Sequence, residues 1–132
     1  MAIASRVEFA GPAFGRRKLD LLSHATAFVH TSRWEGLAFA VLKAACLELP
    51  LLLTPAADPG GKLGPAGAAI VVPPTTSAIA EGLRRLADLN PRERDEMGRR
   101  ARRLVEAEFA WPAVARTMTG AYRRYSLFGR RP

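Results

Sequence analysis

Short apolar runs separated by longer amphipathic stretches predict strands that alternate with helices in the first half of the chain. The predicted strands are residues 6–11, 26–30, 51–54 and 68–72. The run at 51–54 is almost wholly apolar, as in strands that are buried on both faces of a parallel sheet. This pattern indicates an α/β fold with a doubly wound parallel sheet of about four strands and flanking helices.

Apolar residues at helical spacing predict the helices. One helix lies between the first two strands, at 15–25, and a second runs from the turn after the second strand to Leu49. From residue 75 onward the pattern is helical, and Asn90 and Glu93 have the spacing of a capping box at the start of one helix. The expected organisation is a single domain over 1–132, with an α/β part at 1–74 and a helical tail at 75–132.

A polar turn after the second predicted strand is the main candidate for a binding site. A helix that follows a buried strand leaves its first backbone N–H groups without partners and directs the positive end of its dipole at this edge of the sheet. Such a position suits a phosphate group. In this turn Gly36 permits close backbone approach, and the Glu35 carboxylate can accept hydrogen bonds from hydroxyl groups.

The same residues also fit a purely structural explanation. Ser32 and Glu35 have the spacing of a capping box, in which each residue satisfies a backbone N–H at the start of a helix. A cap needs no ligand, and the spacing alone favours it. From the residues of the turn, both interpretations remain open.

The net charge of +8 is unevenly distributed along the chain. Residues 75–132 carry thirteen basic and seven acidic side chains, whereas residues 1–74 carry seven and five. In the predicted helix around residue 100 the arginines are interleaved with acidic residues, and no aromatic platform or recognition motif accompanies them. A solvated helix face is the preferred interpretation, contact with anionic lipid at a membrane surface comes next, and nucleic acid is the least favoured partner.

Cysteine content and hydropathy point to the cytoplasm. Cys46 is the single cysteine, so no disulfide forms within the chain, and its apolar neighbours predict a buried structural thiol. No apolar run approaches the ~20 residues that cross a bilayer, and residues 1–9 lack the apolar core of a signal peptide. The expected location is the cytoplasm, with peripheral contact at the inner face of the membrane as the alternative.

Three motifs together resemble a known family. They are the S-x-x-E-G turn at 32–36, the P-x-x-x-T strand at 50–54 and the segment A-R-R-x-V-x-x-x-F-x-W at 101–111. With the rest of residues 5–125 they resemble the end of the C-terminal domain of GT-B glycosyltransferases of the GT4 type, also called glycosyl transferases group 1. The resemblance implies a partial Rossmann-like sheet, the C-terminal half of a GT-B fold. It also implies retaining glycosyl transfer from a nucleotide-sugar donor, with no cofactor and no tightly bound metal.

The resemblance also assigns residues to the site. It implies that Glu35 is the catalytic residue and contacts sugar hydroxyls, while backbone N–H groups of residues 36–39 meet the sugar and the diphosphate. Departure of a nucleoside diphosphate builds negative charge, which aligned helix N–H groups stabilise without reorganisation. The implied donor-binding residues are Ser32, Glu35, Gly36, Leu37, Ala38, Phe39 and Lys43.

Two positions depart from the family pattern. The family has E-x7-E, in which the second Glu holds the ribose hydroxyls, but Lys43 stands eight residues after Glu35. An ammonium group cannot accept hydrogen bonds, so ribose recognition is expected to be weakened or altered. Ala38 replaces the second Gly of the usual E-G-F-G, and its methyl group is expected to narrow the backbone approach.

The resemblance covers only part of a GT-B enzyme. The N-terminal acceptor domain and the first half of the donor domain have no counterpart in this sequence, so we expect a truncated domain that does not transfer sugar alone. One alternative is a non-enzymatic remnant or interaction subunit that keeps half a Rossmann fold. The other is a basic module that docks on nucleic acid or on an anionic membrane.

The strand order of the family leads to a prediction about the sheet edge. That order is 3-2-1-4-5-6, and the predicted strands at Val7, Phe28, Leu52 and Val71 correspond to strands three to six. Strands one and two are absent, which leaves the Phe28 strand with an unpaired edge. We expect the Val7 strand to move inward and pair with it through a right-handed crossover. The surface left bare predicts low stability and self-association through the sheet edge.

Overall fold

The computed structural model describes residues 3–128 and contains a parallel sheet with the strand order β1-β2-β3. The strands are β1 (Phe28–His30), β2 (Leu51–Leu53) and β3 (Ile70–Val71). Phe28 lies opposite Leu51, and Leu52 lies opposite Ile70. All three residues of β2 are fully buried, which confirms that this apolar run is covered on both faces.

Helices cover both faces of the sheet, as the alternating pattern predicts. Leu51 and Leu53 belong to the core on the face where α2 and α4 pack, whereas Leu52 packs on the opposite face with Leu86 of α3. The α/β class is therefore confirmed. The helices are α1 (Gly15–Ser23), α2 (Phe39–Cys46), α3 (Thr76–Asp88), α4 (Pro91–Phe109) and α5 (Trp111–Phe128).

The start of α4 is a capping box, which confirms the prediction from the sequence. The Asn90 side chain accepts from the Glu93 N–H at 3.0 Å, and the Glu93 carboxylate accepts from the Asn90 N–H at 2.8 Å. These two bonds satisfy backbone donors that the helix itself leaves without partners. The helix therefore begins at Pro91.

The strand predicted at residues 6–11 is wrong. Ala4–Arg6 forms a 3-10 turn, residues 7–14 have no regular structure, and Phe9 is 96% exposed. The expected pairing of the Val7 strand with β1 is therefore also wrong, and the described residues form three strands instead of four. An alternating segment is stable as a strand only when another surface covers its apolar side, and both Val7 and Phe9 are exposed. Among the described residues, β1 keeps one edge without a strand partner.

The helix that follows β1 is shorter than predicted, because α2 ends at Cys46 instead of continuing to Leu49. The Leu49 N–H donates to the Ala44 carbonyl and the Glu48 N–H donates to the Ala45 carbonyl, at 3.1 and 3.0 Å. These are the bonds of a Schellman motif, with Glu48 in the left-handed region at a φ of 58°. Glycine usually occupies this position, and because Glu48 stands there instead, the sequence gives no signal that the helix ends. Cys46 is exposed, and the predicted burial of its thiol is wrong.

Replacing Glu48 by glycine is expected to stabilise the chain by about 0.5–1 kcal/mol. Glycine removes the strain of a left-handed L-residue and gives up only an exposed ion pair to Arg102, whose atoms are 3.4 Å apart. Urea denaturation followed by circular dichroism measures the change. Glu48→Ala is the control, since it loses the same ion pair but keeps the strained Cβ. A gain of equal size in both variants would contradict the explanation.

Candidate functional site

The Glu35 loop, residues 31–38, connects β1 to α2 at the carboxyl end of the sheet. Ligands of open α/β sheets bind at this end of the strands. Within the loop, the Ser32 hydroxyl donates to the Trp34 carbonyl at 2.6 Å and accepts from the Trp34 N–H at 3.3 Å. The residue that precedes α2 is Ala38, and no side chain caps the helix. The capping box of Ser32 and Glu35 is therefore wrong, because both residues belong to a loop that precedes the helix.

The Glu35 carboxylate is paired with His30 instead. Nε2 of His30 donates to Oε1 of Glu35 at 2.6 Å, and the two side chains are 27% and 24% exposed. This hydrogen bond is the main cause of the lowered pKa of the Glu35 carboxyl, and the Ser32 hydroxyl lowers that pKa by a smaller amount. Burial acts in the opposite direction and raises it. The lowered pKa favours the ionised carboxylate, in which both oxygens accept hydrogen bonds.

The β-strand holds the histidine in place. His30 is the last residue of β1, and its ring stacks on that of Phe28 with centroids 6.0 Å apart and planes inclined by 10°. Sequence reasoning missed His30 as a site residue. The available signal was a histidine at the end of a strand, followed by a carboxylate on the far side of a short turn.

Thr54 anchors the Glu35 loop to the centre of the sheet. Its hydroxyl donates to the Ser32 carbonyl, and its N–H donates to the His30 carbonyl at 3.3 Å. Thr54 is fully buried at the end of β2. The threonine of the P-x-x-x-T motif is thus the residue that ties the Glu35 loop to β2.

The start of α2 follows an exposed turn at Gly36. The Phe39 N–H donates to the Leu37 carbonyl at 2.8 Å, and the first helical bond runs from the Leu42 N–H to the Ala38 carbonyl at 3.2 Å. Gly36 is exposed, and a Cβ built on it would meet nothing within 4 Å. A helix start without a cap, next to open space, suits an anionic group. Four of the predicted donor-binding residues, 36–39, therefore lie together beside Glu35.

Lys43 lies further along α2 than the residues next to Glu35. It is exposed on α2, one turn after Phe39, and its charged neighbour is Lys18 of α1. A hydrogen bond from the Lys43 side chain and the repulsion between the two charges lower the pKa of Lys18. An ammonium group therefore stands at the position where the resemblance implies a carboxylate, and a second ammonium group is its neighbour. Lys18 is a second residue that sequence reasoning missed, because only the fold brings α1 against α2.

Within residues 3–128, no group of three or more histidine, cysteine, aspartate or glutamate residues is arranged to hold a metal ion. The described site offers a carboxylate, backbone N–H groups and ammonium groups. Such groups bind hydroxyls and phosphates.

Removing the histidine tests the Glu35–His30 pair. In His30→Ala the Glu35 pKa is expected to rise from its lowered value toward or above the ordinary 4.5. The reason is that burial raises this pKa, and the hydrogen bond from His30 that counteracts burial is lost. The contribution of the pair to stability is present above pH 4.5 and is lost as the pH falls through the lower folded value. Carboxyl ¹³C NMR titration measures the shift. Glu96, whose pKa is lowered by Arg92, is the internal control and should not move.

The comparisons with known proteins agree with this geometry. The family model of glycosyl transferases group 1 matches residues 2–104, a range that includes β1, the Glu35 loop and α2. Among solved structures, sucrose-phosphate synthase from Thermosynechococcus elongatus is similar, with 27% identity and a TM-score of 0.64. The alignment covers 81% of this chain but 27% of that one, so this chain spans about a quarter of its length. No curated protein matches.

Proposed function

Because the chain belongs to the glycosyl transferases group 1 family, we propose that its Glu35 loop and the start of α2 bind a nucleotide-sugar donor for retaining glycosyl transfer. The observation that carries the proposal is the ionised Glu35 carboxylate, held by His30 next to a helix start without a cap. An acceptor for sugar hydroxyls and a set of donors for phosphate thus lie side by side. A cap alone would need neither the histidine nor the open surface.

The proposed chemistry separates charge between two parts of the site. As the bond from the sugar to the diphosphate breaks, negative charge grows on phosphate and the sugar becomes oxocarbenium-like. The N–H groups at the start of α2 are fixed in direction, so they stabilise the phosphate charge without reorganisation. Glu35 accepts hydrogen bonds from sugar hydroxyls, and His30 holds the carboxylate in the orientation that this requires.

The lysine pair changes what the site selects. Lys43 and Lys18 offer donors and positive charge, whereas a ribose diol is best held by a carboxylate. We infer that this part of the surface binds an anionic group of the donor. Proton uptake by Lys18 at alkaline pH should accompany such binding, since an anion raises the pKa that Lys43 lowers.

The proposed site is exposed to solvent, and this exposure is expected to prevent turnover. Gly36 and the side chain of Phe39 face solvent, and group transfer from a nucleotide sugar requires that water be excluded from the reacting sugar. We therefore propose that residues 1–132 on their own bind the donor without transferring sugar.

Calorimetric titration with UDP, ADP, GDP and their glucose conjugates tests the proposal. One of the diphosphates is expected to bind, and Gly36→Ala should weaken its binding because the new methyl group occupies the approach to the backbone. The melting temperature of that variant without ligand should stay unchanged, since the Cβ meets open space. Glu35→Gln should weaken binding of the conjugate more than binding of the diphosphate, because only the conjugate carries the sugar.

The matched control is Glu81→Gln, which removes one exposed carboxylate from α3. It changes net charge by the same amount as Glu35→Gln and should leave both affinities unaltered. Absence of binding by every probe at millimolar concentration would overturn the proposal. Equal affinities for wild type, Glu35→Gln and Gly36→Ala would show that the ligand binds elsewhere on the chain. That result would also overturn the proposal.

A further inference from the structure

Thr54 is the buried residue at which the Glu35 loop meets the sheet. Its side chain is fully buried, and it directly follows β2. A buried hydroxyl is costly unless it has a hydrogen-bond partner. The hydroxyl of Thr54 donates to the Ser32 carbonyl, which lies 22 residues earlier in the chain. The loop backbone at Ser32 is therefore tied to a side chain that is itself fixed by packing.

This bond extends the pairing of β1 with β2 beyond the ends of the two strands. His30 of β1 lies opposite Leu53 of β2, and the Thr54 N–H donates to the His30 carbonyl at 3.3 Å. The hydroxyl of Thr54 then reaches the Ser32 carbonyl, further along the loop. The backbone donor and the side-chain donor of one residue thus hold both His30 and Ser32.

His30 and Ser32 are also the residues that act on the Glu35 carboxylate. The His30 ring donates to it at 2.6 Å and is the main cause of its lowered pKa, and the Ser32 hydroxyl lowers that pKa by a smaller amount. The Ser32 hydroxyl also holds the turn, since it donates to the Trp34 carbonyl and accepts from the Trp34 N–H. Glu35 is therefore held by His30 and Ser32, and each of them is bonded to Thr54.

We propose that Thr54 is a positioning residue of the donor site, and that its buried hydroxyl sets the place of the Glu35 carboxylate through Ser32 and His30. Thr54 acts through these residues and does not itself touch the donor, because its side chain is fully buried. The effect on donor binding rests on the proposed function. The effect on Glu35 is a property of the chain without ligand, so the two effects are measured separately.

Thr54→Val tests the proposal, because valine has a similar shape and keeps the backbone N–H but lacks the hydroxyl. Without the bond to Ser32 the loop is held less closely to β2, and the hydrogen bond from His30 to Glu35 weakens. The Glu35 pKa of the ligand-free chain is therefore expected to rise toward its ordinary 4.5, as measured by carboxyl ¹³C NMR titration. Thr54→Ser keeps the hydroxyl and loses a methyl group, so it should retain the lowered pKa.

The same variants separate this inference from the proposed function. The glucose conjugates of UDP, ADP and GDP are titrated calorimetrically, and the one that binds wild type should bind Thr54→Val about fivefold more weakly, as for the loss of one hydrogen bond. Its affinity for Thr54→Ser should be nearly that of wild type. If no conjugate binds wild type, the proposed function fails, and the Glu35 pKa still decides whether Thr54 positions the carboxylate.

The matched control is Thr75→Val, which removes the threonine hydroxyl that caps α3 by accepting from the Ala78 N–H at 3.3 Å. It loses stability through the missing cap and should leave the Glu35 pKa and the affinity for the conjugate unchanged. A Glu35 pKa in Thr54→Val equal to that of wild type would overturn the proposal. So would an equal rise in Thr54→Ser, because packing at this position, and not the hydroxyl, would then control Glu35.

A second pair of variants covers the case in which Thr54→Val does not fold. Thr54→Ala and Thr54→Ser lack the same methyl group and differ from each other in the hydroxyl alone. The Glu35 pKa is expected to rise in Thr54→Ala and to stay low in Thr54→Ser, and equal values in the two would overturn the proposal. Circular dichroism shows whether each variant keeps its helices.

Discussion

Replacing Gly98 by alanine is expected to lower the free energy of unfolding by about 3 kcal/mol or more, as a severe case of overpacking. A Cβ at Gly98 would lie 1.9 Å from the carbonyl oxygen of Glu48 and 2.6 Å from its carbonyl carbon. Both atoms are backbone, so no rotamer change relieves the clash, and α4 must move away from the end of α2. Since small domains are stable by only about 5–15 kcal/mol, a loss of this size removes a large share of the total.

Urea denaturation measured by circular dichroism gives the change for Gly98→Ala. The matched control is Gly120→Ala in α5, where a Cβ meets nothing within 4 Å. That variant should gain up to about 1 kcal/mol, because alanine is the better helix former. If Gly98→Ala proved as stable as wild type, the close approach of α4 to the end of α2 would be wrong.

Asp58→Ala is expected to destabilise the chain by about 2–4 kcal/mol, because two backbone donors lose their acceptor. Oδ1 of Asp58 accepts from the Leu63 N–H at 2.9 Å, and Oδ2 accepts from the Gly64 N–H at 3.0 Å. Asp58 and Leu63 are buried, so water cannot replace the carboxylate at little cost. The segment between β2 and β3 is folded around this side chain.

Asp58→Asn separates the two hydrogen bonds, because the amide keeps one acceptor oxygen. Its loss of stability should be about half that of Asp58→Ala, measured by urea denaturation. Hydrogen exchange at Leu63 and Gly64 should become faster in both variants. Unchanged exchange at both amides in Asp58→Ala would contradict the role assigned to the carboxylate.

The sequence correctly predicted those strands and helix ends that are determined by residues close together in the chain. Burial of β2 follows from its run of leucines, and the start of α4 follows from Asn90 and Glu93. The family was recognised from three motifs taken together, and the match over residues 2–104 confirms it. The fold class was likewise available from the alternation of apolar runs and amphipathic segments.

The errors concern features that depend on distant parts of the chain. Residues 6–11 alternate like a strand, but only a neighbouring surface decides whether the strand forms. Glu48 ends α2 in a conformation that its side chain does not favour, because α4 packs against that end. The sequence suggested a capping box in the Glu35 loop because Ser32 and Glu35 have the spacing of that motif. The actual partner of Glu35, His30, is not part of the motif. That histidine comes from the end of β1, and only the folded turn brings its ring to the carboxylate.

Among the described residues β1 keeps one edge without a strand partner, whereas the sequence led us to expect the Val7 strand there. Self-association through that edge stays a prediction. Sedimentation velocity at increasing concentration measures it.

The central claim is that the Glu35 loop and the first turn of α2 hold the phosphates of a nucleotide-sugar donor. The most direct measurement is a titration of the ¹⁵N-labelled chain with UDP, ADP and GDP, followed by the chemical shifts of the backbone amides. With the diphosphate that binds, the largest shifts are expected at the amides of residues 36–41, which lie in the Glu35 loop and in the first turn of α2. Shifts confined to other parts of the chain, or none with any of the three diphosphates, would contradict the claim.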